Sequence, residues 1–83
     1  MINVLFFGKF SDFVAVDEDW RMASEGIETV ADVVAAVGRR NPQLHSQITA
    51  PQVTVALNQQ VASVDAAVVD GDEIAFLPPV TGG

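Results

Sequence analysis

The chain of 83 residues has room for one domain and not for two. It contains no cysteine, which excludes disulfides, thiolate metal sites and a cysteine nucleophile. Eleven acidic residues against four basic ones give a net charge of −7, which argues against nucleic-acid binding because that binding needs clustered lysine and arginine. The sequence shows neither a membrane span of ~18 apolar residues nor the pattern of a secretory signal. We therefore expect a cytoplasmic protein with neither nucleic acid nor membrane among its partners.

The first predicted elements are two strands joined by polar segments. Residues 2–7 alternate in side-chain direction, and they are apolar on both faces towards the end of the run. Residues 8–12 then have the composition of a turn. An acidic bend at 17–19 follows, and residues 20–23 form a plausible second strand.

The next predicted element is a helix. Thr29 is suited to cap its first N–H groups, and Asp32, three residues later, completes a pattern close to a capping box. Arg39 and Arg40 suit the C-terminal end, and Pro42 is expected to stop the helix. One apolar stripe at helical spacing consists of Val30, Val33, Val34 and Val37.

Three strands complete the predicted order. Residues 53–57 form one strand, the turn at 58–59 leads into a short strand at 60–64, and the Asp70–Gly71 turn precedes the last strand at 73–77. The result is an α+β domain in which a mixed sheet of about five strands packs on one main helix.

The two faces of this sheet follow from side-chain alternation. The inward-facing residues are predicted to be Ile2, Val4, Phe6, Val64, Ile74 and Phe76. The outward-facing apolar residues are predicted to be Leu5, Phe7, Val61, Ala75 and Leu77. With no helix above them, these residues are expected to form an interaction surface. The alternative is that a loop at 41–52 folds over that face.

The last residues combine two rigid prolines with two glycines, which have no side chains. Pro78 and Pro79 cannot continue a strand and favour an extended exit, whereas Gly82 and Gly83 leave the terminal carboxylate uncrowded. Such a tail suits entry into another protein's active site, and residues 79–83 would reach roughly 17 Å when extended. The alternative is an ordinary frayed terminus. We expect a domain at 1–78 followed by a flexible tail at 79–83.

Four stretches of the sequence match one family over the whole length of the chain. They are residues 4–7, 28–30, 57–59 and, most specifically, 70–83. On these residues the chain resembles the small-subunit family of molybdopterin synthase, whose members are sulfur carriers with the ubiquitin-like β-grasp fold. That fold agrees with the predicted order of strands and helix.

The resemblance implies a reaction at the last residue. A ubiquitin-activating-type adenylyltransferase would use ATP and Mg to adenylate the carboxylate of Gly83, and a sulfur donor protein would displace AMP to leave a thiocarboxylate. The loaded tail would enter the large subunit and give its sulfur to the pterin precursor, in two cycles because a dithiolene needs two sulfurs. The complex would be a heterotetramer with two copies of each subunit. The chain itself would be a non-catalytic subunit without a bound metal or cofactor.

The resemblance also implies which residues meet the partners. Phe7, Val61 and Leu77 match the family's apolar docking surface. The tail contacts would be made by Pro78, Pro79, Val80 and Thr81, with Gly82 supplying flexibility next to Gly83. The chain departs from the family pattern at Ser11–Asp12, where a polar partner contact is replaced or lost, with Lys9 as a candidate substitute. The acidic bend at 17–19 is a second departure.

Several other functions remain open or are disfavoured by the residues. A thiamine-pathway sulfur carrier and a ubiquitin-like protein modifier or docking module are the alternatives to molybdopterin synthesis. A self-contained enzyme is disfavoured, because His45 is the only histidine and lies in a predicted surface loop without a catalytic or metal-binding spacing. The acidic residues at 65–73 do not match a calcium loop and indicate a solvated turn. Trp20 is interpreted as a packing residue of the sheet.

Overall fold

A computed structural model describes residues 1–79 of the chain as a mixed sheet with helices packed on one face. The five strands lie in the order β2-β1-β5-β3-β4, with β1 parallel to β5 and all other neighbours antiparallel. This arrangement confirms the predicted α+β class. The elements in chain order are β1 (Ile2–Phe6), a 3-10 helix (Gly8–Phe13), β2 (Arg21–Met22), α1 (Val30–Arg40), α2 (Pro42–Ile48), β3 (Thr54–Leu57), β4 (Gln60–Val61) and β5 (Glu73–Leu77).

The strand ends are set by residues that leave the extended region. Gly8, with a φ of +57°, redirects the chain after β1 into the 3-10 helix, where only a turn was predicted. Asn58 and Gln59 have φ values of 51° and 69°, as a two-residue hairpin between β3 and β4 requires. Gly71, with a φ of +93°, forms the predicted turn before β5. The strand β5 has the predicted bounds, whereas the other four are shorter than predicted.

Helix α1 supplies the main covering of the inner face. The predicted capping box is present, and the Asp32 carboxylate accepts the backbone N–H groups of Glu28 at 2.9 Å and Thr29 at 3.1 Å. These hydrogen bonds hold the pKa of Asp32 below its ordinary value. The core on this face contains the predicted residues Ile2, Val4, Val30, Val33, Val37, Ile74 and Phe76, all of them buried. Burial of this stripe, rather than the propensity of its valines, is what stabilises α1.

The prediction of a loop at 41–52 is wrong, because α2 lies within it. Pro42 ends α1 but also occupies the first turn of α2, where its missing N–H costs nothing. Asn41 caps the new helix, since its side chain accepts the N–H of Leu44 at 3.0 Å. Leu44 and Ile48 are buried in the same core as the inner face. The helix therefore packs on α1 and the 3-10 helix and does not cover the outer face of the sheet.

His45 accordingly lies on a helix and not in a surface loop. It is half-buried against Gly38 of α1, where a Cβ would come within 2.7 Å of the His45 Cδ2 atom. The absence of a side chain at Gly38 is what allows the two helices to approach at this point.

The inward placement of Val64 is also wrong. The strand β4 ends at Val61, so the alternation that assigned Val64 to the core no longer applies. The chain turns towards α1 instead, and the Val64 carbonyl accepts the N–H of Ala31 at 2.9 Å. The Val64 side chain is consequently 49% exposed.

Trp20 packs at the β1 side of the core, as predicted. Its ring meets Phe6 edge-to-face at a centroid distance of 5.0 Å, and the Arg40 guanidinium lies 4.0 Å from the Trp20 ring centroid. Phe6 stacks in turn on Phe76. Within residues 1–79, neither helix has the length and apolarity that a membrane crossing demands.

Candidate functional site

The outer face of the sheet carries a contiguous apolar surface. In the strand register, Leu5 lies beside Ala75, Ala75 beside Ala56, and Ala56 beside Val61, so that one row crosses four strands. Phe7 and Leu77 lie two residues beyond Leu5 and Ala75 along the chain, on the same face and next to this row. We call the six residues the outer-face patch: Leu5, Phe7, Ala56, Val61, Ala75 and Leu77.

The outer-face patch is concave: Ala75 is buried at its bottom, whereas Phe7 and Val61 are exposed. Its members on β1, β3 and β5 border a depression of about 450 Å³, with Gln59 and Glu73 on the polar rim. Ala56 and Ala75 are short side chains between longer ones, which makes them the floor. Phe7 is 47% exposed and Val61 is 81% exposed. A contiguous exposed apolar surface of this kind is typical of interaction sites.

The predicted docking residues are therefore brought together by the fold. Val61 on β4, Leu77 at the end of β5 and Phe7, directly after β1, share the outer face, as side-chain alternation predicted. Sequence reasoning missed Ala56, although its place two residues after Thr54 on β3 carried the same alternation signal. The His45 side chain lies on α2, against α1, and does not join this surface.

The exit of the chain adjoins the outer-face patch. Leu77 is both the last residue of β5 and a member of the patch, and Pro78 follows it directly. Pro78 contacts Gly8, since a Cβ built on that glycine would lie 2.7 Å from the Pro78 Cγ atom. Pro79 borders a second depression, of about 310 Å³, together with Lys9. A chain leaving here starts at the edge of the exposed apolar surface.

The remaining predictions about the tail fall outside the described residues. They concern Val80 and Thr81 as partner contacts, Gly82 as the flexible residue, Gly83 as the reactive residue, and the separation of a tail at 79–83 from the domain. Of these positions the structure describes only Pro79.

The acidic segment before β5 has a structural role. The Asp72 carboxylate accepts the Val69 N–H at 2.9 Å and the side-chain amide of Asn58 at 3.0 Å, and both bonds lower the pKa of Asp72. Asp70 pairs with the amino group of Met1, which lowers the pKa of Asp70. Within residues 1–79, no three acidic or histidine side chains converge as a metal site would require. The segment holds the turn that leads into β5.

Of the two predicted departures from the family pattern, Ser11–Asp12 lies on the 3-10 helix, and the acidic bend at 17–19 lies between that helix and β2. The Ser11 hydroxyl donates to the Gly8 carbonyl at 2.8 Å, so this side chain has a partner within the chain. Asp12 and Lys9 are exposed. The acidic bend at 17–19 carries two ion pairs, Asp19 with Arg21 and Glu18 with Arg40, each at 2.9 Å. The Arg21 guanidinium and its backbone N–H hold the pKa of Asp19 at about 2.

Comparison with known sequences matches nearly the entire chain to one family. A sequence model described as the ThiS family matches residues 4–83. The chain is 34% identical over 83 residues to the molybdopterin synthase sulfur carrier subunit of Haemophilus influenzae, with all of both chains covered. It is also 32% identical over 76 residues to small archaeal modifier protein 1 of Haloferax volcanii, which covers 84% of this chain and 87% of that protein.

Comparison with solved structures confirms the fold. The crystal structure of the Haloferax volcanii small archaeal modifier protein 1 superposes with a TM-score of 0.73 at 27% identity, covering 95% of this chain and 97% of that one. The BexX/CysO complex of Amycolatopsis orientalis contains a chain that matches with a TM-score of 0.80 at 18% identity, with both chains fully covered. At that identity the second likeness shows the fold alone. The predicted ubiquitin-like β-grasp architecture is therefore correct.

Proposed function

The chain belongs to the ThiS family, and from that premise we propose that it is the sulfur carrier subunit of a molybdopterin synthase. Relatives of that name share about a third of their residues with it over its full length. The observation that carries the proposal is the continuity of the exposed outer-face patch with the exit of the tail, because Leu77 belongs to the patch and immediately precedes Pro78. In this proposal the docking face leads directly to the residues from which the reactive arm starts.

The proposed chemistry takes place at Gly83. Its carboxylate attacks the α-phosphorus of ATP on an activating adenylyltransferase, which expels pyrophosphate and forms an acyl adenylate. The terminal sulfur of a persulfide on a donor protein then attacks the acyl carbon, and AMP leaves. A thiol cleaves the sulfur–sulfur bond of the resulting acyl persulfide, which releases the thiocarboxylate and leaves a disulfide between that thiol and the donor. Because the chain has no cysteine, this acyl group is its natural position for a covalently carried sulfur. Gly82 and Gly83 keep the arm narrow enough for two different active sites.

The partners supply the remaining machinery. In this proposal the large subunit binds the outer-face patch and takes up the tail, and the complex is a cytoplasmic heterotetramer with two copies of each subunit. ATP, Mg²⁺ and the catalytic acids and bases belong to the partners. The net charge of −7 would speed encounter with a positively charged partner surface more than it would tighten the complex.

Protein modification is the second candidate function. The observation that favours it is the 32% identity to small archaeal modifier protein 1, together with the TM-score of 0.73 to the structure of that protein. In that case the amine of a target lysine would attack the same acyl adenylate, AMP would leave, and an isopeptide bond would form. A carrier for thiamine synthesis would use the same first two steps and differ only in the acceptor of the sulfur.

Intact mass spectrometry tests the proposal. The chain is incubated with an activating adenylyltransferase, ATP, Mg²⁺ and a sulfur source, and we expect a mass gain equal to the replacement of one oxygen by one sulfur. Deletion of Gly82 and Gly83 should abolish this gain while leaving the unfolding midpoint unchanged. The loaded chain should then convert the pterin precursor in the presence of the large subunit. No mass gain under conditions that load a known carrier would refute the proposal, and adducts on lysines of other proteins would favour the modifier function.

A further inference from the structure

Gly8 and Pro78 are in direct contact at the base of the tail. Gly8 follows β1 with a φ of +57°, and a Cβ built on it would lie 2.7 Å from the Pro78 Cγ atom and 3.3 Å from its Cδ atom. Carbon atoms that are not bonded to each other are ordinarily separated by about 3.5 Å or more. The proline ring therefore rests against the bare Cα of the glycine, in space that any other residue would fill.

The glycine side of this contact is held in place. The Gly8 carbonyl accepts the Ser11 hydroxyl at 2.8 Å, and the Phe7 N–H donates to the Phe76 carbonyl at 3.1 Å. Phe10, in the same 3-10 helix, is fully buried. The segment that carries Gly8 is thus tied to β5 on one side and to the core on the other. An added side chain at position 8 would displace Pro78 more readily than it would displace this segment.

The proline side has little freedom to yield. The Pro78 ring is closed onto its own backbone nitrogen, so its Cγ atom can shift by a change of ring pucker but cannot rotate away as the end of an open side chain would. Pro78 is the first residue after β5 and stands before the residues that must reach a partner's active site. An extended run of five residues spans roughly 17 Å, so a tilt of about 10° at its base moves its end by about 3 Å.

We propose that Gly8 is a positioning residue that sets the direction in which the tail leaves the domain. This inference rests on the proposed function, in which Gly83 must reach the reacting groups of two partners. Gly8 itself touches no substrate. Its lack of a side chain lets Pro78 seat against the 3-10 helix and so orients the arm that follows.

Gly26 offers a matched control for testing this role. Gly26 also has a positive φ, of +79°, but a Cβ built on it meets nothing within 4 Å. Gly8→Ala and Gly26→Ala therefore impose a similar left-handed backbone penalty, and only the first introduces a contact with Pro78. If the two variants unfold at similar midpoints, a remaining difference between their activities is caused by the contact with Pro78.

The experiment compares sulfur loading and sulfur transfer in the wild type and both variants. We expect Gly8→Ala to lower kcat by about tenfold or more, since misplacing a reacting group by an ångström or more has effects of that order, while KM changes little because the outer-face patch is intact. Gly26→Ala should stay within about twofold of the wild type. In a Pro78→Ala background, where the ring is gone, Gly8→Ala should add much less than its effect alone.

Outcomes that would overturn the inference are distinct from those that would overturn the proposed function. Equal kinetics for Gly8→Ala and Gly26→Ala, or an undiminished Gly8→Ala effect in the Pro78→Ala background, would refute the positioning role. If the wild type itself is not loaded, the proposed function fails. The positioning role is then judged by NMR, where Gly8→Ala should shift the backbone amides of residues 80–83 and Gly26→Ala should not. Unshifted amides in Gly8→Ala would refute it.

Discussion

Replacing Val61 by aspartate should separate partner binding from stability. Val61 lies on the edge strand β4 and is 81% exposed, so its side chain makes little contact within the free chain. It occupies one end of the row that crosses the sheet through Ala56 and Ala75. A partner that covers the outer-face patch would bury this side chain, and Val61→Asp would place an unpaired carboxylate in that interface.

The expected magnitudes follow from this exposure. Full burial of a valine side chain is worth about 1.5–3 kcal/mol, and most of that value is still available to a partner. Desolvating an uncompensated carboxylate costs at least a comparable amount. Together these effects exceed about 3 kcal/mol, so the Kd for the large subunit should rise more than about 100-fold. The free energy of unfolding should change by less than about 1 kcal/mol, because the position is exposed.

The assay is titration of the purified large subunit by calorimetry, with urea unfolding measured in parallel. Val16→Asp is the matched control, because Val16 is fully exposed in the segment before β2 and the substitution changes the net charge equally. It should leave the Kd within about twofold of the wild type. The docking argument would be wrong if Val61→Asp and Val16→Asp bound equally well, or if Val61→Asp unfolded the domain.

Three further predictions concern the fold. Gly38→Ala should lower the free energy of unfolding, measured in urea, by about 1 kcal/mol. Alanine has the better helix propensity, but its Cβ would lie 2.7 Å from His45 Cδ2. A more stable variant would show that the two helices move apart to accept the methyl group. Ile74→Ala should cost about 2–5 kcal/mol in the same assay, since the Ile74 side chain is fully buried, and a cost under about 1 kcal/mol would contradict the inner-face assignment. Arg21→Met should raise the pKa of Asp19 from about 2 towards its ordinary value of 3.8, as followed by NMR titration. Because a lowered carboxylate pKa stabilises the folded state above the ordinary pKa, the wild type should lose this contribution as the pH falls from about 4 to about 2. The variant should lose less, since it keeps only the backbone N–H of residue 21 as a donor to Asp19.

Much of the fold was predictable because its signals are local. The valine stripe with Thr29 and Asp32 defined α1, and Asp70–Gly71 defined the start of β5. The outer-face positions of Phe7 and Leu77 followed from alternation along single strands. These features depend on residues within one or two turns of each other, so no knowledge of distant contacts was needed.

The wrong predictions for α2 and Val64 show where local sequence signals are insufficient. Pro42 was interpreted as a stop, although the same residue type is favoured in the first turn of a helix, and Leu44 and Ile48 carried the spacing of four that a helix face needs. The placement of Val64 failed because alternation was extended past the end of β4. In both cases the decisive contacts are tertiary contacts with α1: α2 folds back on it after the single residue Asn41, and Val64 meets Ala31 across 33 residues of chain.

The sequence by itself determined the class of fold and the faces of the long strands, because periodicity and turn residues act over a few neighbouring positions. Only the tertiary structure decided that α2 packs with α1 and leaves the outer face open, and that Gly8 lies against Pro78 across some 70 residues of chain. Such contacts depend on how separate elements meet, and a residue's type does not reveal which distant residue will lie beside it.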